Sequence, residues 1–403
     1  MASEAIPKRR IAYLLGGLNP SETFIRREIE LLREMGFSIE LFTLDDSPGA
    51  TLVPSGWRLN MLGQAAASAM TGELTRLGLD VSELSRGERA RLQMHRVRAR
   101  WLAERLIESG IEHLHAHFMS APASVGTIAA RLSDITLSLS GHARDIYVGA
   151  TLLADKVSTA RFVTVCNESA RDALLSRIPE ELHDRVRLLH HGVPAPVPPV
   201  GPTPERGPIF AAGRLVEKKG FSGLLRAVRE LRSRGEHVEC RIAGTGPLLR
   251  HLRFEAKDLG IAHQVRWLGW LEPMQVFDEL RKASVCVVPS VVDRENDRDG
   301  IPNIVLEAFA HGVPVVAGAV GGIPEAVENR VTGLLVSPDR HEQIAEAIQR
   351  IRREPTLRRE LVVAAVRKVR EEFNLQENVR TLADLFESVL RGEPGKTSEG
   401  TNG

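Results

Sequence analysis

Between two stretches of alternating strand-like and helix-like pattern lies Pro194-Ala-Pro-Val-Pro-Pro-Val-Gly-Pro-Thr-Pro204, in which six of eleven residues are proline. Proline lacks the amide hydrogen and has a fixed φ, so such a run forms neither a helix interior nor a central strand. It reads as a semi-rigid linker. It divides 403 residues into two halves of ordinary domain size. We therefore expect an N-terminal domain over 1–195, a linker over 196–206 and a C-terminal domain over 207–372. A C-terminal helix over 373–392 is expected to pack back on the N-terminal domain, ahead of a disordered tail over 393–403.

Each half repeats short Val/Ile/Leu-rich runs bounded by turn residues, separated by amphipathic segments. Expected strands are Ile11–Leu15, Ser38–Leu44, Glu112–Phe118, Thr136–Ser140, Phe162–Val165 and Val186–Leu189 in the first half. In the second they are Ile209–Ala212, Val238–Ala243, Val265–Leu268, Val285–Pro289, Val313–Ala317 and Leu334–Val336. Near-continuous apolar runs alternating with helices fit parallel sheets covered on both faces. The fold class is α/β, with two Rossmann-like, doubly wound domains. Open sheets of this kind bind ligands outside the carboxyl ends of their strands, so two of them facing each other would form an interdomain cleft.

Composition narrows the functional classes. With 53 basic against 52 acidic side chains there is no global basic field for nucleic acid. Aromatics at 4% argue against base-stacking platforms. Cys166, Cys240 and Cys286 are too few and too far apart for a disulfide framework or a zinc cage. No apolar run approaches a membrane span, and the short run Ile11–Leu15 ends in Gly16-Gly17 rather than extending into a signal sequence. These features together lead us to expect a cytoplasmic protein. The segment Arg86–Arg105 carries Arg86, Arg89, Arg91, Arg96, Arg98 and Arg100 with Leu92, Ala99, Leu102 and Leu106 on one stripe. It reads as a solvated basic helix face that would also suit the anionic inner surface of a membrane.

The stretch Asp299-Gly-Ile-Pro-Asn-Ile-Val-Leu-Glu307 follows an expected strand and a polar loop. Pro302 suits a first helical position, and Gly312 suits the end of the helix. Free backbone N–H groups in the Ile301–Ile304 stretch, which runs through Pro302 and Asn303, would then face a ligand with hydroxyls or phosphate oxygens, and Gly300 permits close backbone approach. Asp299 and Glu307 would stand at the two ends of that ligand. Their bland alternatives are a helix cap and a solvated side chain.

In Gly213-Arg-Leu-Val-Glu-Lys-Lys-Gly220, Arg214 and Lys219 lie past the end of a strand, where an anion would sit. Gly244 and Gly246 end the next strand and leave room for a base or phosphate. Gly16 and Gly17 precede Ser21, Glu22 and Thr23 in a glycine turn before a helix. This is no dinucleotide fingerprint, because the third glycine is missing. His113, His115 and His117 alternate along one strand and so share a face. They read as a buried ladder satisfied by neighbours. A metal-hydrolase reading of His115 and His117 would need further ligands from His142, Asp145, His190 or His191. His142 follows another strand end and is a candidate substrate contact.

Taken together, these motifs resemble the retaining nucleotide-sugar glycosyltransferases of family 4, with GT-B architecture. The resemblance covers about Arg10 to Leu390 and is closest to exopolysaccharide transferases of the colanic-acid type. Ser21-Glu-Thr-Phe-Ile-Arg-Arg-Glu28, His115-Ala-His-Phe118 and Gly141-His-Ala-Arg-Asp-Ile-Tyr147 are similar to the family's N-domain motifs. The Gly213–Gly220 stretch resembles its diphosphate-binding segment. Asp299 to Glu307 resembles its pair of acids separated by seven, although many members have Glu where this chain has Asp299.

The resemblance implies a hexosyl transfer from a nucleotide diphosphate sugar, UDP- or GDP-linked, to a polyprenyl-diphosphate-linked or other glycan acceptor, with no metal and no cofactor. By motif match, Arg214 and Lys219 would neutralise the diphosphate, and Glu307 would hold the ribose. Gly300 to Asn303 would grip the sugar, with Asp299 at its hydroxyls and His142 near the reacting carbon. Gly16, Gly17, Gly213, Gly244 and Gly246 would lie along the donor. Ser21, Glu22, Thr23 and His117 would serve the acceptor. Alternatives are an epimerase-like or purely nucleotide-sugar-binding GT-B protein, and the metal-dependent hydrolase built on His115 and His117.

Overall fold

The computed structural model describes residues 9–17, 23–44, 59–61, 77–82, 84–148, 151–194 and 204–393. Most of the proline-rich run, Ser21, Glu22 and the tail beyond residue 393 lie outside the described residues. The chain divides into two compact units, one of Met1–Leu189 with Glu377–Gly403 and the other of His190–Gln376. The division falls at Leu189/His190, ahead of the proline-rich run, and the chain re-enters the first unit at Glu377.

The first unit holds a seven-stranded sheet. Its strands are β1 (Arg9–Leu15), β2 (Phe37–Thr43), β3 (Leu59–Met61), β4 (His113–His117), β5 (Thr136–Gly141), β6 (Ala160–Val165) and β7 (Val186–Leu188). Their order is β3-β2-β1-β4-β5-β6-β7, and all neighbouring pairs are parallel. The short edge strand β3 was not expected from sequence, because three residues, Leu59-Asn-Met61, are too short a run to establish a period. The helix Arg86–Glu108 starts at Ser85, whose side chain accepts from the Glu88 amide while the Glu88 carboxylate accepts from Ser85. This capping box fixes where the helix begins. The helix buries Leu92, Ala99, Leu102, Ala103 and Leu106, the stripe that its spacing predicts. The last helix, Leu375–Leu390, puts Phe386 against Tyr13, Phe37, His113 and Phe162.

The second unit holds a six-stranded sheet of β8 (Ile209–Ala212), β9 (Cys240–Ala243), β10 (Val265–Gly269), β11 (Val285–Val288), β12 (Val315–Gly318) and β13 (Leu334–Val336). The order is β10-β9-β8-β11-β12-β13, again parallel throughout. Strands buried on both faces explain why these segments are mostly apolar, with Arg241 the one charged residue among β8, β9, β11 and β12. Cys166, Cys240 and Cys286 are buried free thiols, and burial pushes the Cys240 thiol up to about 12.

Both sheets reverse their strand order once. In the first the reversal lies between β1 and β4, and in the second between β8 and β11. The crevice beyond the carboxyl ends of such a pair is where doubly wound sheets take their ligands. Gly16 follows β1 and His117 ends β4. Gly213 follows β8, and the loop from Pro289 to Pro302 follows β11. Gly16, His117, Gly213 and the Asp299 loop thus fall at the two switch points, while His142 follows the neighbouring β5 and Gly244 the neighbouring β9.

Candidate functional site

At the switch point of the second unit, three loops are tied together by their backbones. The Gly213 amide donates to Ala243 O (3.0 Å), Leu215 N to Thr245 O (2.8 Å), and Val291 N to Lys218 O (2.8 Å). Close approach explains the glycines. Gly244 has φ +129°, and a Cβ there would sit 2.0 Å from Gly213 O. Gly220 has φ +63°, and a Cβ there would sit 1.8 Å from Pro289 O. A side chain at Gly246 would strike the Leu215 carbonyl. The room that Gly244 and Gly246 leave is therefore taken up by the Gly213–Leu215 backbone.

The charged residues form one buried cluster. Lys219 Nζ donates to Asp299 Oδ2 at 2.8 Å, and Ser290 Oγ donates to the same oxygen at 2.6 Å. Lys218 Nζ lies 3.1 Å from Asp297 Oδ1 and 3.7 Å from Asp299 Oδ1. Asp299, Asp297, Lys218 and Ser290 are all buried. Burial works to raise the Asp299 pKa, but Lys219, Lys218 and the Ser290 hydroxyl outweigh it and hold the carboxyl below its ordinary value. The Asp299 carboxylate therefore faces the lysines, where the motif match placed it at the hydroxyls of a sugar. Lys218, Asp297 and Ser290 were not singled out from sequence. An adjacent Lys-Lys pair gives no sign of which member is buried, and a serine after a strand end is too common to stand out.

Arg214 is exposed at the same strand end and has no carboxylate partner among the described residues. The helix that follows the loop runs Asn303–Ala310, with Pro302 as its N-cap rather than its first residue and His311 as its C-cap. Gly312, at φ +66°, ends it as expected. Pro302 is buried, while Gly300, Ile301, Asn303 and Glu307 are partly exposed. Glu307 lies on the helix face that carries Asn303, one turn back.

In the first unit the histidine ladder is hydroxyl-bonded. His113 bonds Thr136 Oγ1 (2.8 Å) and Ser138 Oγ (2.7 Å), and His115 bonds Ser138 Oγ (2.7 Å) and Ser140 Oγ (3.1 Å). The register makes this inevitable, since β4 and β5 pair His113 with Thr136 and His115 with Ser138. Glu28, His115 and His117 offer ligand atoms within 4.8 Å of one another. Each of those side chains is already engaged, His117 Nε2 with Glu28 Oε1 at 3.0 Å and Nδ1 with His142 Nε2 at 3.3 Å.

His142 follows β5 as the N-cap of the short helix Ala143–Tyr147, and Asp145 Oδ1 accepts from its amide at 3.0 Å. Asp145 also accepts from the Met119 amide, and Lys156 Nζ donates to Met119 O at 2.5 Å. Burial pushes Asp145 up to about 7 and Lys156 down to about 7. This buried pair braces the turn after β4, where Phe118 has φ +76° and lies 4.5 Å from the His142 ring. Gly16 and Gly17 are partly exposed at the end of β1, and Thr23 opens the helix Thr23–Glu34.

Comparison with known proteins bears on this geometry. The family model described as Glycosyl transferases group 1 matches residues 206–354, the segment holding the Lys219–Asp299 cluster and Glu307. A colanic acid biosynthesis glycosyltransferase named WcaL from Escherichia coli is 26% identical across 92% of this chain and 97% of its own length. Its namesake from Salmonella typhimurium is 32% identical, but the match spans 51% of this chain and about half (49%) of that relative. Among solved structures, Anabaena Alr3699/HepE in complex with UDP superposes with a TM-score of 0.71 at 16% identity, over 94% of this chain and all of that one. That likeness shows the fold, two Rossmann-like domains of the GT-B type.

Proposed function

We propose that this chain, which carries a group 1 glycosyl transferase domain over residues 206–354, is a retaining transferase acting in the assembly of an exopolysaccharide or related cell-surface glycan. It would move a hexose from a UDP- or GDP-linked donor to a hydroxyl of a glycan acceptor carried on a polyprenyl diphosphate. The observation that carries this reading is the buried Lys218–Asp299–Lys219 arrangement at the β8/β11 switch point, beside the exposed Arg214.

In such a transfer the glycosidic bond to the diphosphate breaks first, and negative charge grows on the leaving phosphate. Preorganised cations at that oxygen lower the barrier. Lys219 is partly exposed and can turn from Asp299 toward a phosphate, while Lys218, held by Asp297, keeps Asp299 compensated. Arg214 would close on the other phosphate, with Gly213, Gly244 and Gly246 shaping the backbone along the donor. Backbone amides at Gly300–Asn303 would bind the sugar, and Glu307 the ribose hydroxyls. His142 would stand near the reacting carbon. Thr23 and His117 would lie toward the acceptor, as would Ser21 and Glu22, which are outside the described residues. The acceptor hydroxyl would attack from the face the diphosphate leaves, passing its proton to that phosphate and retaining the anomeric configuration.

The test is a thermal-shift screen against UDP-, GDP-, ADP- and TDP-sugars, followed by assay of nucleotide diphosphate release with and without glycan acceptor. Acceptor-dependent release with an α-linked product from an α-linked donor supports the reading. Free epimer or sugar phosphate as product would replace it. The helix Arg86–Glu108 presents exposed Arg86, Arg89, Arg91 and Arg100 outside its buried stripe. Salt-sensitive cosedimentation with anionic vesicles would establish peripheral membrane contact through it. Among the described residues no helix is long and apolar enough to cross a membrane.

A further inference from the structure

Phe118 breaks the alternation of β4. His113, His115 and His117 share one face of that strand, so an extended Phe118 would fall on the other, with Leu114 and Ala116. Its φ is instead +76°, in the left-handed region that bulky residues avoid. The ring consequently lies beside the histidines, 4.5 Å from His142 and 6.4 Å from His117. The turn itself does not call for an aromatic residue, since glycine adopts this backbone at less cost.

The strained turn is held from several sides. The Phe118 amide donates to Ser140 O at 2.8 Å, and the Ala123 amide donates to Phe118 O at 3.2 Å. Asp145 accepts from the next amide, that of Met119, and Lys156 donates to Met119 O. Both charged side chains are buried, and they come from two different helices, Ala143–Tyr147 and Leu153–Thr159. Strain that its surroundings over-determine in this way clusters where ligands bind. His117 is fully buried and engaged with Glu28, so contact with a ligand at this strand end falls to its partly exposed neighbours Phe118 and His142. Phe24, 5.3 Å from the His142 ring, flanks them. Gly16 is close by, since a Cβ there would sit 3.9 Å from Pro122, in the helix that the turn leads into.

We propose that Phe118 contacts substrate, its ring packing against the C–H face of a pyranose in the acceptor glycan, and that the left-handed turn serves to place it there. A pyranose carries C–H groups on its faces and hydroxyls around its rim. The face of an aromatic ring, negative at its centre, suits the former, and the neighbouring imidazole suits the latter. Arg214, Lys219, Gly300–Asn303 and Glu307 all belong to the second unit, which leaves the first unit's switch point to the acceptor. This assignment rests on the transferase reading.

The experiment is saturation-transfer NMR on the full chain with the methyl glycosides of glucose, galactose and mannose, without donor. Saturating the protein's aromatic protons is expected to enhance the ring C–H signals of at least one glycoside over its O-methyl signal. Phe118→Leu keeps apolar bulk but loses the aromatic face, and should weaken that binding about 3–10-fold. Phe118→Tyr should retain it. Phe118→Gly should also lose binding, yet melt no lower than native protein, because it relieves the backbone. No enhancement with any of the three glycosides, or unchanged binding in Phe118→Leu, overturns the proposal. A Phe118→Gly that melts below native protein also counts against it, because the ring would then be holding the fold. Turnover separates this proposal from the reading beneath it. In an active transferase, Phe118→Leu should raise acceptor KM about 3–10-fold while donor KM stays within about threefold. An active enzyme with unchanged acceptor KM keeps the transferase reading and loses this contact. A chain without turnover that still passes saturation through Phe118 loses the reading and keeps the sugar contact.

Discussion

Lys219 Nζ is held 2.8 Å from Asp299 Oδ2, on an oxygen that also accepts from Ser290 at 2.6 Å. The first acid of the motif thus orders a cation, and its shorter side chain suits that task. Replacing Asp299 with Asn keeps the shape but removes the charge that aims Lys219. The expected result is a drop in kcat/KM of roughly tenfold or more in the donor-dependent assay. The pH dependence has a definite sign. A carboxyl whose folded value lies below the ordinary 3.8 stabilises the fold fully above that value and loses the contribution as pH falls through the lowered one. Thermal melts between pH 5 and 2.5 (about the range in which aspartates titrate) should show native protein losing stability that Asp299→Asn never had. Parallel curves for the two proteins would show that the pairing contributes nothing.

The two neighbouring lysines should separate by phenotype. Lys218 has 9% of its side chain exposed and sits between Asp297 and Asp299. Truncating it to Met leaves two buried carboxylates sharing one cation, an uncompensated charge that costs about 3–5 kcal/mol. Lys219→Met leaves the same two carboxylates and one cation, but Lys218 still touches both acids and Ser290 still holds Asp299, so it should cost less stability and lose activity instead, by roughly a hundredfold in kcat. Denaturant melts paired with turnover read both effects. Equal loss of stability in the two variants would contradict the division of labour.

Gly220 makes the loop possible at all. Alanine there brings a Cβ to 1.8 Å from the Pro289 carbonyl in a left-handed backbone, so the Glu217–Gly220 turn must move, and Lys219 with it. Gly220→Ala should lower stability by about 1–3 kcal/mol and reduce activity as much as Lys219→Met. Gly235 also has positive φ, at +80°, but nothing within 4 Å of its would-be Cβ. Alanine at Gly235 isolates the conformational cost from the clash. A melt in which both variants lose equally would remove the steric argument.

These contrasts also show what was legible in the sequence. Strand positions were, because burial on both faces of a parallel sheet writes itself as runs such as Val285-Cys-Val-Val288. The helix Asn303–Ala310 was too, since Pro302 and Gly312 bracket it in the chain. Arg214, Lys219 and Glu307 could be singled out because a motif fixes their offsets from a strand end. Glu28 and Ser290 were not, because their importance comes from partners 89 and 9 residues away that only the fold brings within reach. Lys218 and Asp297 were invisible for a different reason. Charged pairs in loops are usually solvated, and burial of this one depends on the Lys218 carbonyl pairing with Val291 across the loop. The same blindness applies to the histidine ladder, whose alternation was plain but whose serine partners on β5 follow from strand register alone.

That ladder makes the first unit sensitive to acid. Burial, with Arg161 adding to it, pushes His113 from 6.5 down to about 3, and burial with the neighbouring histidines drives His115 well below its ordinary value. Between about pH 6.5 and 3 the unfolded chain takes up protons at these sites that the folded chain refuses. Stability therefore falls as pH drops through this window. Asp145 opposes them, since burial raises it to about 7 and the folded chain keeps its proton longer, but it is one group against two. Replacing His113 with Gln keeps a partner for Ser138 and removes one of the refused protons. Its denaturation midpoint should fall less steeply than that of native protein as pH is lowered from about 6.5 to 4. The measurement is a urea melt at each pH followed by Trp101 fluorescence in a variant lacking the other three tryptophans, Trp57, Trp267 and Trp270. Identical slopes for native and His113→Gln proteins would show that His113 takes no part in acid unfolding.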